Sequence, residues 1–225
     1  MKISYRLVII IAVFITCLIT ANIIAVKVIS LGPFVLPAAI FVFPLSYIFG
    51  DVLTEVYGYR VARRVIWLGF ACNLVFVFFA WVGQKLPPAV FWEGQTAYES
   101  ILGFAPRLLA ASFLGYLAGE FANSFILAKM KILTGGRWLW SRTIGSTVAG
   151  QGLDTSIFIT LAFIGTGANV PVMILHHWLA KIVIEAVCTP GTYTIVNWLK
   201  NKEGIDTYDY ETRYNPFIIS EKGQS

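Results

Sequence analysis

The chain has 225 residues, of which 57% are apolar and only 13% are charged, and its mean hydropathy is +0.73. Soluble proteins have roughly 45–50% apolar and about 25% charged residues. The composition therefore excludes a soluble globular domain, a disordered chain and a disulfide-rich secreted scaffold. It is typical of an integral membrane protein.

The apolar residues form long continuous runs. A spanning helix needs about 20 mainly apolar residues, whereas the strands of a β-barrel alternate over about ten. The runs here do not alternate, so we predict an all-α fold with a transmembrane domain over 1–200 and a polar tail over 201–225. The predicted spans are about 7–30, 34–56, 61–83, 107–128, 143–165 and 172–199.

The basic residues predict the orientation of these spans. With the N-terminus in the cytoplasm, 13 of the 17 Lys and Arg residues face the cytoplasm, and Lys27, Lys85, Arg107 and Lys181 remain. This excess is the positive-inside pattern, so both termini are predicted to be cytoplasmic. The net charge of +5 then reflects topology and lipid contact rather than nucleic-acid binding, because no polar domain could carry a nucleic-acid surface.

The longest segment between spans, 84–106, is predicted to lie outside. An interfacial helix anchored by aromatic residues and a lid over a pore are both open interpretations of it. Cys17, Cys72 and Cys188 lie in apolar runs without metal or disulfide spacing, and no P-loop occurs. No metal and no cofactor are predicted.

The two halves of the chain resemble each other weakly. Asn22 in the first span corresponds to Asn123 in the fourth, and Asp51 in the second to Asp154 in the fifth. Three spans per half would make these copies a 3+3 inverted repeat, a pattern of transporters. Chance similarity is the alternative interpretation.

Ionisable residues inside the spans point to function. Each costs at least about 2.5–3.5 kcal/mol at the centre of a membrane helix, so it faces the bundle interior. They are Lys27, Asp51, Glu55, Glu120, Asp154, Lys181 and Glu185. Helical spacing places carboxylates on polar stripes of four spans, which is typical of a solvated cavity. The candidate substrate-binding residues are Asp154, Glu120, Asn123, Gln151, Asn22, Asp51, Tyr47, Glu185 and Lys181.

Structural roles compete with binding at several of these positions. Glu55 could form a surface pair with Arg60 or Arg63, and Lys181 and Glu185 could neutralise each other at i, i+4. Asp154 could be a tie between helices. Residues that break or thin a helix occur in two spans, where they could interrupt the helix or allow close packing: Pro37, Pro44 and Gly50 in the second, and Gly145, Gly150 and Gly152 in the fifth. The excess of acidic groups favours a cationic or N–H-rich substrate over an anion.

One segment carries a family resemblance. Phe43-Pro44-Leu45-Ser46-Tyr47, Asp51, Thr54-Glu55-Val56-Tyr57-Gly58 and Ala62-Arg63-Arg64 resemble the signature of the queuosine precursor transporter family, also called vitamin-uptake-transporter-like. Arg107 with Ala111-Ser112, the block from Ser146-Thr147 to Asp154-Thr155, and Lys181 with Glu185 resemble its second half. The similarity extends from about 15 to 200.

The resemblance implies a six-helix carrier of the inner membrane. Its substrates would be the 7-deazaguanine bases with cyano or aminomethyl substituents that are precursors of queuosine in tRNA. The resemblance transfers no residue roles, leaves the preferred precursor open, and does not say whether copies of the chain form a homo-oligomer.

Two other functions are weighed against import. The chain could be the substrate-binding subunit of an energy-coupling-factor importer, since Ala21 and Ala25 give a small-residue step for a partner helix. It could also be an intramembrane enzyme. The only histidines, His176 and His177, are adjacent and no catalytic signature is present, so no enzyme and no catalytic residue are predicted.

Overall fold

The computed structural model describes residues 4–31, 34–103, 106–165, 167 and 169–218, and parts of the predicted loop and tail, 104–105 and 219–225, lie outside them. The described chain is predominantly helical. Its helices are α1 (Tyr5–Ile24), α2 (Phe43–Val52), α3 (Tyr59–Lys85), α4 (Gln95–Leu102), α5 (Pro106–Leu133), α6 (Leu139–Phe163) and α7 (Val170–Glu203). A short antiparallel hairpin, β1 (Val28–Leu31) and β2 (Phe34–Pro37), follows α1.

Three of these helices, α1, α3 and α7, are long and apolar enough to cross a membrane. Helices α5 and α6 have 28 and 25 residues and lie over the predicted fourth and fifth spans. An all-α membrane protein is therefore supported.

The predicted second span over 34–56 is interrupted near Pro37, which was one of the two interpretations of its prolines, and it begins as a strand rather than a helix. Val28–Leu31 and Phe34–Pro37 form the hairpin strands, Ala38–Phe41 form a 3-10 helix, and α2 begins only at Phe43. Proline explains the difference, since Pro33 and Pro37 cannot donate a helical hydrogen bond, whereas Pro44 falls in the first turn of α2, where none is needed. The first helix ends at Ile24 rather than near residue 30, and Val28 already pairs with Pro37 in the hairpin.

A π-helical segment, Leu53–Tyr57, continues α2, and all five of its residues are buried. It ends at Gly58, whose φ of 85° is accessible mainly to glycine. A Cβ at this position would lie 2.7 Å from Cγ2 of Thr207. Single-turn π segments often occur at functional sites, and this one carries Glu55 into the protein interior.

Helices α5 and α6 approach each other through glycines. A Cβ at Gly119 would lie 2.6 Å from Cβ of Asp154, and one at Gly150 would lie 2.7 Å from Cβ of Asn123. Because α6 is continuous from Leu139 to Phe163, close packing rather than helix interruption explains Gly150.

The close contact of α5 and α6 at Gly119 leaves no room for a larger side chain. Gly119→Ala should lower stability by about 1–3 kcal/mol, because the new methyl group forces the two helices apart. The control is Gly191→Ala in α7, where no described atom lies within 4 Å. That change should raise helix stability by up to about 1 kcal/mol. Apparent melting temperatures in detergent measure both changes, with a fall expected for Gly119→Ala and a small rise for Gly191→Ala. A higher melting temperature for Gly119→Ala would contradict the close packing of the two helices.

The described part of the tail, 204–218, packs against the N-terminal end of α3. Oδ2 of Asp209 accepts a hydrogen bond from the Tyr59 backbone at 2.9 Å, and Arg63, which is fully buried, donates to the carbonyls of Arg213 and Asn215. The sequence analysis treated this segment only as a polar tail. Its backbone carbonyls provide the partners that a buried guanidinium requires.

Candidate functional site

Polar side chains from four helices meet inside the bundle. Asp51 of α2, Glu120 and Asn123 of α5, Gln151 of α6 and Glu185 of α7 are each at most 3% exposed. Buried polar groups of this density need partners, water or a ligand. We call the following set the central polar site: Tyr47, Asp51, Glu120, Asn123, Gln151, Asp154, Lys181 and Glu185.

One hydrogen bond links the two halves of the chain at this site. Nδ2 of Asn123 donates to Oδ1 of Asp51 at 2.8 Å, and both side chains are buried. Oε2 of Glu120 lies next to Gly50, and a Cβ added to Gly50 would be 3.3 Å from that oxygen. The lack of a side chain at Gly50 therefore leaves room for the Glu120 carboxyl against α2.

Tyr47 faces the same interior. Its electrostatic neighbours are Asp154, Glu120, Gln151 and Glu185, which lie on three other helices. An aromatic ring beside several acceptors can cover a planar ligand while those acceptors bind its edge.

Lys181 pairs across helices rather than along its own helix. Its ammonium lies 2.6 Å from Oδ2 of Asp154, and the two side chains are 14% and 16% exposed. Both carboxylate oxygens of Glu185 lack a hydrogen-bond partner among the described residues. Of the interpretations left open for Lys181, the described contacts therefore show an ion pair with Asp154 of α6 rather than a hydrogen bond to Glu185.

Unpaired acceptors dominate what remains of the site. Six buried oxygens of the described central residues have no hydrogen-bond donor, namely Oδ2 of Asp51, Oε2 of Glu120, Oδ1 of Asn123, Oε1 of Gln151, and Oε1 and Oε2 of Glu185. Each unsatisfied buried acceptor costs about 1–3 kcal/mol. A ligand that supplies N–H groups or a positive charge would satisfy them.

Asn22 is not part of this cluster. Its Nδ2 donates to Oδ1 of Asn73 at 2.8 Å, and Nδ2 of Asn73 donates to the Gly69 carbonyl. These contacts join α1 to α3. Asn22 and Asn123, which the weak repeat made equivalent, thus have different partners.

The sequence analysis missed a second buried cluster, which lies one helical turn from Asp51. Glu55 is fully buried and forms ion pairs with Arg142 at 3.0 Å and Lys200 at 2.8 Å, with Lys131 at 3.6 Å. The surface pair expected for Glu55 with Arg60 or Arg63 is therefore wrong. We call Glu55, Lys131, Arg142, Lys200 and Asp206 the basal ion cluster.

The tail completes this cluster through Asp206, which contacts both Lys131 and Lys200. Partial burial raises the pKa of the Asp206 carboxyl, but hydrogen bonds from these two lysines outweigh burial and hold that pKa below its usual value. The carboxylate is therefore ionised at neutral pH. The basal ion cluster joins α5, α6, α7, the π segment and the tail, and so closes one end of the bundle.

Among the residues that the structure describes, no group of three or more His, Cys, Asp and Glu side chains is arranged to hold a metal ion. The central carboxylates are instead spread over separate helices, next to amides and one ammonium.

Comparison with known proteins identifies the family. A family model described as "Putative vitamin uptake transporter" matches residues 37–195. The "Probable queuosine precursor transporter" of Bacillus subtilis (strain 168) is 33% identical over 156 residues, which cover 68% of each chain. The "Queuosine precursor transporter" of Escherichia coli (strain K12) is 26% identical over 159 residues, 71% of this chain and 67% of that protein.

No solved structure gives a significant match to the chain. The matched segment contains every residue of the central polar site, and the relatives are named as transporters rather than enzymes. The chain belongs to the queuosine precursor transporter family, whose family model is that of vitamin uptake transporters.

Proposed function

We propose that this chain imports 7-deazaguanine precursors of queuosine, with the central polar site as the substrate site. The relatives named as queuosine precursor transporters support the substrate class. The observation that carries the assignment to this site is its set of six buried acceptors without donors.

The chemistry of a deazaguanine fits those acceptors. The base presents a ring N–H and an exocyclic NH₂ on one edge, with a carbonyl beside them. A carboxylate accepts two parallel N–H bonds from such an edge, and an amide reaches the carbonyl. In our proposal Glu120 and Asp51 accept from the base, Asn123 and Gln151 bind its polar edge, and Tyr47 covers its face.

Asp154 has a changed role in this proposal. Because Oδ2 of Asp154 binds Lys181, the pair positions the site and balances its charge rather than leading the recognition of the base. Asn22 with Asn73 supports the wall between α1 and α3.

We further propose six membrane crossings with both termini in the cytoplasm of a cell with an inner membrane. Helices α1, α3, α5, α6 and α7 form five crossings, and the hairpin with α2 and the π segment forms a broken second one. The basal ion cluster supports this arrangement in two ways. It joins helix ends that lie on the same side of the membrane in this topology. It is also rich in Lys and Arg, which is typical of the cytoplasmic side.

Transport would proceed by alternating access. The basal ion cluster closes the proposed cytoplasmic side, whereas the side chains of Asp154 and Lys181 are 16% and 14% exposed. This state is therefore closed to the cytoplasm in our proposal. Import requires the basal ion pairs to separate, and a substrate-binding subunit of an ATP-driven importer would not need that step.

Uptake into cells tests the function. Bacteria that can neither make nor import the precursor should, with this chain, incorporate labelled precursor into tRNA. Glu120→Gln should reduce the uptake rate at least about tenfold, since a hydrogen bond to a charged group contributes about 1.5–3 kcal/mol. The matched control is Glu211→Gln, on an exposed tail residue, which should transport normally. Wild-type uptake by a well-expressed Glu120→Gln protein would refute the assigned site.

A further inference from the structure

Glu185 differs from the other acids of the central polar site. It is 1% exposed, and both of its carboxylate oxygens are buried without a donor among the described residues. Asp51 accepts from Asn123, and Asp154 accepts from Lys181. A buried carboxyl with neither oxygen satisfied is costly, so its position calls for a partner that the described chain does not provide.

The carboxyl of Glu185 lies inside the bundle, where the residue is 1% exposed. Its electrostatic neighbours include Asp51 of α2, Glu120 of α5 and Tyr47 of α2. On its own helix, the hydroxyl of Thr189 donates to the backbone carbonyl of Glu185 at 2.8 Å, not to its carboxylate. Glu185 is therefore directed at the same space as the acceptors assigned to the base.

Glu185 also lies on a different wall from most of those acceptors. Glu120 and Asn123 project from α5, Gln151 projects from α6, and Glu185 projects from α7. A flat base bound by its donor edge to α5 and α6 would extend a ring substituent towards another wall. In this orientation Glu185 contacts the substituent of the ring, and not the donor edge that all these bases share.

We infer that Glu185 selects precursors whose substituent is a positively charged amine over those with an uncharged nitrile. This inference rests on the proposed function and deepens it. An ammonium group donates up to three hydrogen bonds and brings the opposite charge to a site rich in carboxylates. A nitrile only accepts, so it leaves both oxygens of Glu185 without a partner.

Competition binding to the purified wild-type protein provides the first test. The ligands are aminomethyl-, hydroxymethyl- and cyano-deazaguanine, and the hydroxymethyl compound matches the amine in size without its charge. The aminomethyl compound should bind at least about tenfold more tightly than either of the others, as expected for one charge-assisted hydrogen bond. Equal affinities would overturn the inference, and no binding of any of the three would overturn the proposed function with it.

Variants assign the preference to the residue. Glu185→Gln should reduce the amine preference to within about threefold, whereas Glu185→Asp should keep it because the charge remains. Glu120→Gln should weaken all three ligands alike. An amine preference unchanged in folded Glu185→Gln, or an equal loss for all three ligands, would overturn the inference. If Glu185→Gln does not fold, the wild-type ranking together with Glu185→Asp decides.

Discussion

Glu55→Gln should be among the most destabilising single substitutions in this chain. Arg142 and Lys131 are each 1% exposed, and the substitution removes the carboxylate that both of them contact. Removing one partner of a buried ion pair costs about 3–5 kcal/mol, because the remaining charge is left uncompensated. For a chain of this size the apparent melting temperature should fall on the order of 10 °C.

The matched control is Glu203→Gln at the same end of the bundle. Glu203, whose side chain is 6% exposed, pairs with Arg6, whose side chain is 42% exposed. Because the pair is open to water at Arg6, no buried charge is left uncompensated, so this variant should lower the melting temperature much less than Glu55→Gln does. Thermal unfolding in detergent compares the two variants. Equal melting temperatures for Glu55→Gln and the wild-type protein would contradict a structural role for the basal ion cluster.

Separating the Asp154–Lys181 pair should abolish uptake. Asp154→Asn and Lys181→Met each remove one charge of a pair whose charged atoms lie 2.6 Å apart. We expect at least about a hundredfold loss of uptake from either single variant, because the change in net charge alters the potential at every central carboxylate.

The double variant distinguishes positioning from a structural tie. Residues in direct contact show coupling energies of about 0.5–3 kcal/mol, so Asp154→Asn with Lys181→Met should recover part of the stability that each single variant loses. Uptake should remain low, because the pair that positions the site is absent. Full uptake by the double variant would mean that the pair only ties α6 to α7.

The sequence predicted the long helices because apolar runs of spanning length carry a strong signal. Helices α3, α5 and α7 cover the corresponding predicted segments, and α6 ends at Phe163, two residues before the predicted end of its segment. It did not predict the hairpin before α2, since short apolar runs such as 28–37 are compatible with either strand or helix. Pro37 did indicate an interruption of the second span, but a proline does not specify that the residues before it form strands.

The site was predicted in part, for a related reason. The cost of a buried charge identified Asp51, Glu120 and Glu185 as interior groups, and the structure buries all three. Pairing was not predictable, because it depends on elements far apart in the chain. Arg142 and Lys200 lie 87 and 145 residues from Glu55, and both were interpreted as topology-setting charges at the membrane edge.

Transport by the purified chain alone tests the central claim most directly. Proteoliposomes that contain only this protein should take up labelled aminomethyl-deazaguanine with saturation, and excess unlabelled compound inside should accelerate exchange. Empty liposomes and the Glu120→Gln protein are the controls. Saturable exchange without any other protein is the predicted result. Binding without uptake, or uptake only after an ATPase partner is added, would contradict the account.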